Sequence, residues 1–249
     1  MGMGSYALIL VAAFFAGIMN SVAGGGSFLT FPALVFTGVP SVIANASSTV
    51  ALFPGSFASA YAYRNDFEHF DNIPFKASLV VSLAGGVTGA LLLLFTSQQA
   101  FDLVIPWLLA LATVLFALGP RLAPWLSRKF HIGVKSALCA QYVVAIYGGY
   151  FGGAVGIIML ALFSLLGLTD IRSMNAVKTL LGGTMNAAAV VCFVIAGKVW
   201  WPQAMVMLIG GVVGGYFGAR YARLLPPALV RAVIVGIGLF MTVAFFKRI

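Results

Sequence analysis

The sequence is divided into eight long apolar stretches, each of which carries at most one charged side chain. An apolar stretch of about 17–25 residues is long enough to cross the bilayer as a helix. Only 8% of the residues are charged, whereas about a quarter are charged in a typical soluble domain. The pattern therefore predicts an all-α, polytopic integral membrane protein. The predicted segments are 5–19 with 27–38, 43–63, 75–96, 102–119, 136–150 with 156–168, 173–196, 203–221 and 229–246.

Glycine clusters interrupt the first and the fifth of these segments. The first cluster is 24–26, within "NSVAGGGSFLTFPAL", and the second is 148–156, "GGYFGGAVG". Glycine costs about 1 kcal/mol relative to alanine inside a helix, so clustered glycine predicts a break. Each interrupted segment is then either re-entrant or a pair of short spans. Irregular backbone at membrane depth requires surrounding protein or a polar cavity.

Two short motifs recur in the same order in both halves of the chain. Asn45-Ala46-x-x-Thr49 returns as Asn175-Ala176-x-x-Thr179, and Gly85-Gly86-x-x-Gly89 returns as Gly214-Gly215-x-x-Gly218. We therefore expect two homologous repeats, 1–125 and 133–249, joined by the linker 126–132. Each repeat has a broken first segment followed by three spanning helices. The glycine spacings are also typical of close packing between helices.

Basic residues predict the orientation of the chain. The net charge is +9, and Lys and Arg concentrate in cytoplasmic loops of membrane proteins, so no nucleic-acid partner is implied. Four loops placed in the cytoplasm hold ten of the fourteen basic residues: Arg64, Lys76, Arg121, Arg128, Lys129, Lys135, Arg172, Arg220, Arg223 and Arg231. This placement gives the repeats opposite orientations, a cytoplasmic central loop and a periplasmic C-terminus. Lys198, Lys247 and Arg248 fall outside it. No Lys or Arg precedes the apolar segment 6–19, so no cleavable signal peptide is expected.

The helix breaks indicate a site for an anion. A half-helix that begins at Ser27 directs its free N–H groups and the positive end of its dipole toward the break, and such ends attract anions. The second break, ending near Gly156, presents another helix N-terminus. Glycine also lets the backbone approach a ligand closely. Inverted repeats with discontinuous helices are typical of secondary transporters.

Lys178 is the charged residue that stands out, because it lies inside the sixth segment. An ionisable side chain in a spanning helix is a functional hypothesis by default. At helical spacing it shares a face with Asn175, Gly182 and Asn186. The matching positions of the first repeat are Asn45, Ser48, Leu52 and Ser56. A role outside a binding site remains open for these residues. Lys178 could instead extend to the lipid headgroups, and the Asn and Ser side chains could instead form hydrogen bonds to neighbouring helices.

The sequence offers no residues for enzyme chemistry or metal binding. Its five acidic residues, Asp66, Glu68, Asp71, Asp102 and Asp170, and both histidines, His69 and His131, lie in or beside predicted loops. The two cysteines, Cys139 and Cys192, lie in apolar stretches, where a thiol acts as a small hydrophobe. We predict no cofactor, no metal and no catalytic residues.

The residues of the breaks carry a family resemblance. "AGIMNSVAGGGSFLTFPAL", "PSVIANASSTVALFPGSFASAYAYR" and "GGYFGGAVGIIML…NAVKTLLGGTMNAA" resemble the TauE/SafE sulfite exporter family over nearly the whole chain. The resemblance implies an internally duplicated transporter of sulfite or of small organosulfur anions in a bacterial membrane.

We therefore expect a secondary transporter that exports sulfite or a small organosulfur anion across the inner membrane by alternating access. A passive anion channel, an importer of another anion such as thiosulfate, and an accessory subunit are the alternatives. Protons are a candidate coupling ion, and an oligomer through the packing glycines is left open. The expected substrate-binding residues are Asn20, Gly24, Gly25, Gly26, Ser27, Asn45, Ser48, Thr49, Gly153, Gly156, Asn175, Lys178, Thr179 and Asn186.

Overall fold

The computed structural model describes residues 3–67, 74–129, 132–168, 170–221 and 227–247. Within these ranges the chain is helical, with no strand. Glu68, His69, Asp71, His131, Arg223 and Arg248, which the sequence placed in or beside loops or at the C-terminus, lie outside the described residues. The helices are α1 (Met3–Val22), α2 (Ser27–Phe36), α3 (Ser41–Ala62), α4 (Phe75–Phe95), α5 (Gln98–Lys129), α6 (Val134–Tyr150), α7 (Val155–Leu165), α8 (Ile171–Ile195), α9 (Trp201–Tyr221) and α10 (Pro227–Phe246), with a 3-10 turn at Arg64–Asp66.

Six of the described helices are long and apolar enough to cross a membrane: α1, α4, α5, α8, α9 and α10. This number and the high mean hydropathy of +1.08 fit a multi-pass membrane protein. Helix α3 has 22 residues, but its many Ser and Ala residues make it less apolar, and α6 has 17. Pro54 lies within α3 without ending the helix.

The two predicted helix breaks are present, with shifted boundaries. Helix α1 continues to Val22 and α2 begins at Ser27, so the first break is 23–26. The second break is 151–154, which is shorter than the predicted 148–156. Gly148 and Gly149 remain inside α6, because they serve helix packing rather than the break. A Cβ on Gly149 would lie 2.4 Å from the carbonyl oxygen of Gly86 in α4, so only glycine allows this approach.

Glycine also brings α1 against α9. A Cβ on Gly17 would lie 2.5 Å from the carbonyl oxygen of Gly211, and one on Gly214 would lie 2.0 Å from that of Phe14. Helices α4 and α6 pack in the same way, since a Cβ on Gly89 would lie 2.0 Å from the carbonyl oxygen of Ile146. The glycine spacings therefore mark close-packed helix faces, as the sequence predicted.

Helices α3 and α8 pack against each other at the centre of the molecule. Helix α3 also contacts α9, and α8 also contacts α4. Helices α5 and α10 form a further pair beside the short helices α7 and α2. This arrangement places the polar stretches of α3 and α8 next to both helix breaks.

Candidate functional site

The first helix break touches the first turn of α7, directly after the second break, through glycine backbone. A Cβ on Gly24 would lie 2.7 Å from the Cα of Gly156, and one on Gly156 would lie 2.8 Å from the Cα of Gly24. Gly24 and Gly25 have positive φ angles of 73° and 133°, which favour glycine. The sequence predicted both breaks, and the structure brings the first break against the helix that begins after the second.

Asn20 caps the start of α2. Its side-chain oxygen accepts hydrogen bonds from the amides of Gly25 at 3.0 Å and Gly26 at 2.7 Å. The amide of Gly26, the residue directly before the helix, and that of Gly25 therefore already have an acceptor within the protein. The next residue, Ser27, begins the helix and lines the cavity described below.

The start of α7 has no such cap. Ala154, the residue before the helix, has a positive φ of 60° and makes no side-chain cap. Its carbonyl accepts from the amides of Ile157 and Ile158, whereas the amides of Val155 and Gly156 have no acceptor among the described residues. Since Val155 and Gly156 line the cavity, this helix end leaves two donors beside it.

A small cavity of about 60 Å³ lies between the breaks and the helices α3 and α8. One water needs about 10–15 Å³ of such space, so the cavity has room for a few waters or one small anion. Its polar walls consist of hydroxyl, amide and backbone groups. The lining residues that bear polar side chains are Asn20, Ser27, Thr49, Ser56, Ser59, Lys178, Thr179 and Asn186.

Lys178 supplies the one ionisable side chain among the residues that line this central cavity. It is 3% exposed, and its ammonium therefore lies inside the protein rather than at the surface. Its Nζ donates to Asn175 Oδ1 at 2.7 Å and to the carbonyl oxygen of Ser21 at 3.2 Å. An ammonium has three donors, so one remains for a ligand.

Nine of the fourteen predicted substrate-binding residues line the central cavity. They are Asn20, Gly24, Gly25, Ser27, Thr49, Gly156, Lys178, Thr179 and Asn186.

The other five predicted residues do not line it. Gly26 donates its amide to Asn20, and Asn175 holds Lys178. Asn45 donates from Nδ2 to the carbonyl oxygen of Tyr150 at 2.8 Å. The hydroxyl of Ser48 lies 2.6 Å from that of Thr30, and Gly153 packs beside the ring of Phe151. Asn45 and Ser48 thus bond neighbouring elements.

Ser59, Met159 and Met185 line the cavity but were not singled out in the sequence. Ser59 lies one helical turn beyond Ser56 on α3, so extending the polar face would have found it. The two methionines lie in apolar stretches, where nothing in the sequence distinguishes them from core residues.

Two larger cavities lie on either side of the central one along α3. A vestibule of about 650 Å³ is lined by Ala62, the last residue of α3, and by three arginines, Arg172, Arg220 and Arg231. An outer cavity of about 420 Å³ includes Ser41, the first residue of α3. The residues of α3 that line the central cavity lie between these two positions.

The outer cavity contains the carboxylate of Asp102. This side chain bonds the hydroxyl of Ser41 and accepts from Gln98, and Gln98 accepts from the amide of Val42 at 3.2 Å. These contacts join the start of α3 to the start of α5.

Aromatic rings form a buried cluster around Phe31 of α2. Phe31 stacks on Phe245 at 5.6 Å, and it meets Phe101 and Phe151 edge to face at 6.4 and 6.1 Å. Phe245 also lines the outer cavity, whereas Phe151 precedes Gly152, which lines the central cavity. The cluster therefore lies between these two cavities.

A multi-pass helical protein with a small polar cavity between two helix breaks has the architecture of a membrane transporter. The family model "Sulfite exporter TauE/SafE" matches residues 9–245. The chain thus belongs to the TauE/SafE sulfite exporter family.

Relatives from several bacteria are named as membrane transporters. The "Probable membrane transporter protein YfcA" of Escherichia coli K12 is 29% identical over 236 residues, which cover 94% of this chain and 87% of the relative. The "Probable membrane transporter protein ORF9" of Sinorhizobium is 28% identical, with coverages of 95% and 90%. A "Probable membrane transporter protein" of Haemophilus influenzae is 27% identical, with coverages of 97% and 94%. No solved structure shows a significant match. The protein is a membrane transporter and not an enzyme.

Proposed function

We propose that this protein is a secondary transporter that exports sulfite or a small organosulfur anion across the bacterial inner membrane. The observation that carries the proposal is the buried ammonium of Lys178 in a small cavity of hydroxyls and amides. A fixed positive charge and free helix-end amides favour an oxyanion over a cation or a neutral solute. The size of the cavity favours a small anion that has shed its water.

The binding site would use donors from both halves of the chain. In our proposal, Lys178 supplies the full charge and the amides of Val155 and Gly156 contact the oxygens of the anion. The hydroxyl of Ser27 completes the shell, since this residue also lines the cavity. A small oxyanion accepts several hydrogen bonds at once, which suits this donor set.

The packing of the helices supports an inverted repeat in this proposal. Helix α1 of the first half runs parallel to α9, because Leu10 contacts Gly210 and Ile18 contacts Gly218. In the proposed repeat, α6 is the counterpart of α1 and α4 is the counterpart of α9. Helices α6 and α4 also pack closely and run parallel. Such an exchange of equivalent contacts is expected of repeats related by a two-fold axis in the membrane plane.

The arginines of the vestibule support the proposed orientation. Arg172, Arg220 and Arg231 belong to loops that the sequence placed in the cytoplasm, and all three line one cavity at one end of the molecule. The vestibule is then the cytoplasmic entrance and Asp102 lies on the periplasmic side. Reporter fusions at the C-terminus test this orientation: a cytoplasmic C-terminus contradicts it.

Alternating access would follow from the two closures of the central cavity. On the vestibule side, the boundary is formed by Ala23 and Asn175, which line the vestibule. Gly24 follows Ala23 and Lys178 lies one helical turn after Asn175, and both of these residues line the central cavity. Toward the outer cavity, the aromatic cluster around Phe31 closes the path. Opening one closure at a time, with the glycine breaks as hinges, would expose the site to each side in turn. A channel would need both open together.

Flux of radiolabelled sulfite from proteoliposomes tests the function. Saturable flux that is lost in Lys178→Ala, and that shows exchange of labelled for unlabelled substrate, supports a transporter. Conductance without exchange favours a channel. Flux no greater than in empty liposomes removes sulfite as the substrate.

A further inference from the structure

The ammonium of Lys178 has no partner of opposite charge in the central cavity. Both of its acceptors, the amide oxygen of Asn175 and the carbonyl oxygen of Ser21, are neutral. The other residues that line the cavity from α1, α2, α3, α6, α7 and α8 are all uncharged. With Lys178 protonated, the site therefore contains a full positive charge that the protein itself does not balance.

The described acidic residues are engaged elsewhere. Asp66 lines the vestibule, Asp102 bonds Ser41 in the outer cavity, and Asp170 caps α8 through Ser173. None of them lines the central cavity. The other described charges on the helices that line the cavity are Lys135 on α6 and Arg172 on α8, which are both basic.

An unbalanced buried charge is costly, because the ion loses its water without gaining a counter-ion. A bound monoanion removes this cost, since its negative charge balances the ammonium inside the cavity. The occupied site is then neutral, whereas the empty site carries one positive charge. The occupied site should therefore pass through the closed, water-free state much more easily than the empty site.

We propose that the transporter is an anion exchanger, in which the site changes sides only when an anion occupies it. This inference rests on the proposed function and adds the partner of the transported anion, namely a second small monovalent oxyanion moving in the opposite direction. The exchange of one monoanion for another transfers no net charge. The cycle then needs a counter-anion on the receiving side of the membrane.

A substitution at Asn175 should remove the need for a counter-anion. Its Oδ1 lies 2.7 Å from the ammonium of Lys178, and aspartate has almost the same shape. Asn175→Asp would place a carboxylate where the amide oxygen lies, so the empty site would become neutral. The variant should bind the anion more weakly, because the carboxylate competes for Lys178, but its empty site should return without a counter-anion.

The experiment compares two efflux rates in proteoliposomes loaded with radiolabelled sulfite. One bath contains unlabelled sulfite and the other contains only the impermeant anion gluconate. Both sides have the same mildly acidic pH, at which sulfite is present mainly as the monoanion hydrogensulfite, and the membrane potential is set by potassium and valinomycin. We expect efflux to be about tenfold or more faster into sulfite, because the empty site returns slowly. The rate of efflux into sulfite should not change with membrane potential, because the exchange transfers no net charge. In Asn175→Asp the ratio of the two efflux rates should fall to about one.

Equal efflux into both baths would overturn the exchange mechanism while leaving the transport of sulfite established. Net efflux that is accelerated by an imposed pH gradient, without any external anion, would also overturn it, since a proton would then balance the site. If Asn175→Asp folds correctly and its ratio of the two efflux rates equals that of wild type, the charge of Lys178 does not limit the return of the empty site across the membrane. Absence of flux in both baths would instead contradict the proposed function.

Discussion

Lys178 in α8 donates a hydrogen bond to the carbonyl oxygen of Ser21 in the last turn of α1, at 3.2 Å. The last carbonyls of a helix lack partners within the helix, so Lys178 satisfies a group that the first break exposes. Asn45 in α3 does the same for Tyr150, the last residue of α6, at 2.8 Å. Each half of the chain thus bonds the broken helix of the other half.

Two substitutions of Lys178 distinguish the effect of its charge from that of its hydrogen bond to Ser21. Lys178→Gln retains a donor for Ser21 but removes the charge, so we expect sulfite flux to fall at least about 100-fold, because an ionic partner is lost from a desolvated site. Lys178→Ala removes the hydrogen bond to Ser21 as well, so its flux should be no higher than that of Lys178→Gln. Flux in proteoliposomes measures both variants.

The matched control for Lys178 is Lys198→Gln. Lys198 is an exposed lysine that follows the same helix, so its loss should change neither flux nor stability. Wild-type flux in Lys178→Gln would remove this residue from the binding site.

The asparagines Asn45 and Asn186 should have separable roles. Asn45 is 2% exposed and bonds Tyr150, so Asn45→Ala should destabilise the protein by about 1–3 kcal/mol with an unchanged KM. Asn186 lines the cavity and its side chain has no described hydrogen-bond partner, so Asn186→Ala should leave stability unchanged. Its KM should rise about tenfold, as expected for one lost hydrogen bond to an ion. A raised KM in Asn45→Ala together with a lowered stability in Asn186→Ala would contradict this assignment.

The sequence predicted the breaks and the charged residue because each depends on local composition. Clustered glycine disfavours a helix wherever it occurs, and a lysine inside an apolar stretch is costly unless it has a function. The repeat motif also predicts that Asn45 and Asn175 occupy equivalent positions. These predictions required no knowledge of which helices are neighbours.

The different roles of these residues depend on neighbours that are distant in the sequence. Asn45 lies beside Tyr150 and Lys178 lies beside Ser21, and no local pattern encodes either contact. For the same reason, Gly149 was placed in the break, although its approach to Gly86 keeps it in a helix. Composition identified the special residues, and packing decided what each one does.

Asp170 at the start of α8 should make stability depend on pH. Its carboxylate accepts from the hydroxyl and the amide of Ser173 at 2.6 and 2.9 Å, and these hydrogen bonds lower the pKa of Asp170 below the ordinary value of 3.8. A lowered pKa in the folded state means that the stabilisation is present above the unfolded pKa and is lost as the pH falls through the folded pKa.

Asp170→Ala should lower the free energy of unfolding by about 1 kcal/mol at neutral pH, which is typical for the loss of a helix N-cap. The difference from wild type should shrink in acid, and thermal unfolding at several pH values measures it. Asp170→Asn is the control, because asparagine also caps a helix but does not titrate. A difference that stays constant down to acid pH would contradict this role.

Gly182 provides a test of whether the substrate occupies the central cavity. It lines the cavity, and a Cβ at this position would meet nothing within 4 Å. Gly182→Ala therefore introduces a methyl group into a cavity of about 60 Å³ without a clash. Alanine is favoured over glycine inside a helix by about 1 kcal/mol, so the variant should be at least as stable as wild type and yet transport sulfite with a clearly raised KM.

The matched control is Gly236→Ala in α10. A Cβ at Gly236 also meets nothing within 4 Å, but this residue lines none of the three cavities described above. It should gain the same helical stability and retain wild-type flux, so that any loss in Gly182→Ala is assigned to the occupied space. Gly182→Val extends the series, because a larger side chain should abolish flux. Wild-type KM in both Gly182 variants would show that the anion binds elsewhere, with the vestibule and its arginines as the next site to test.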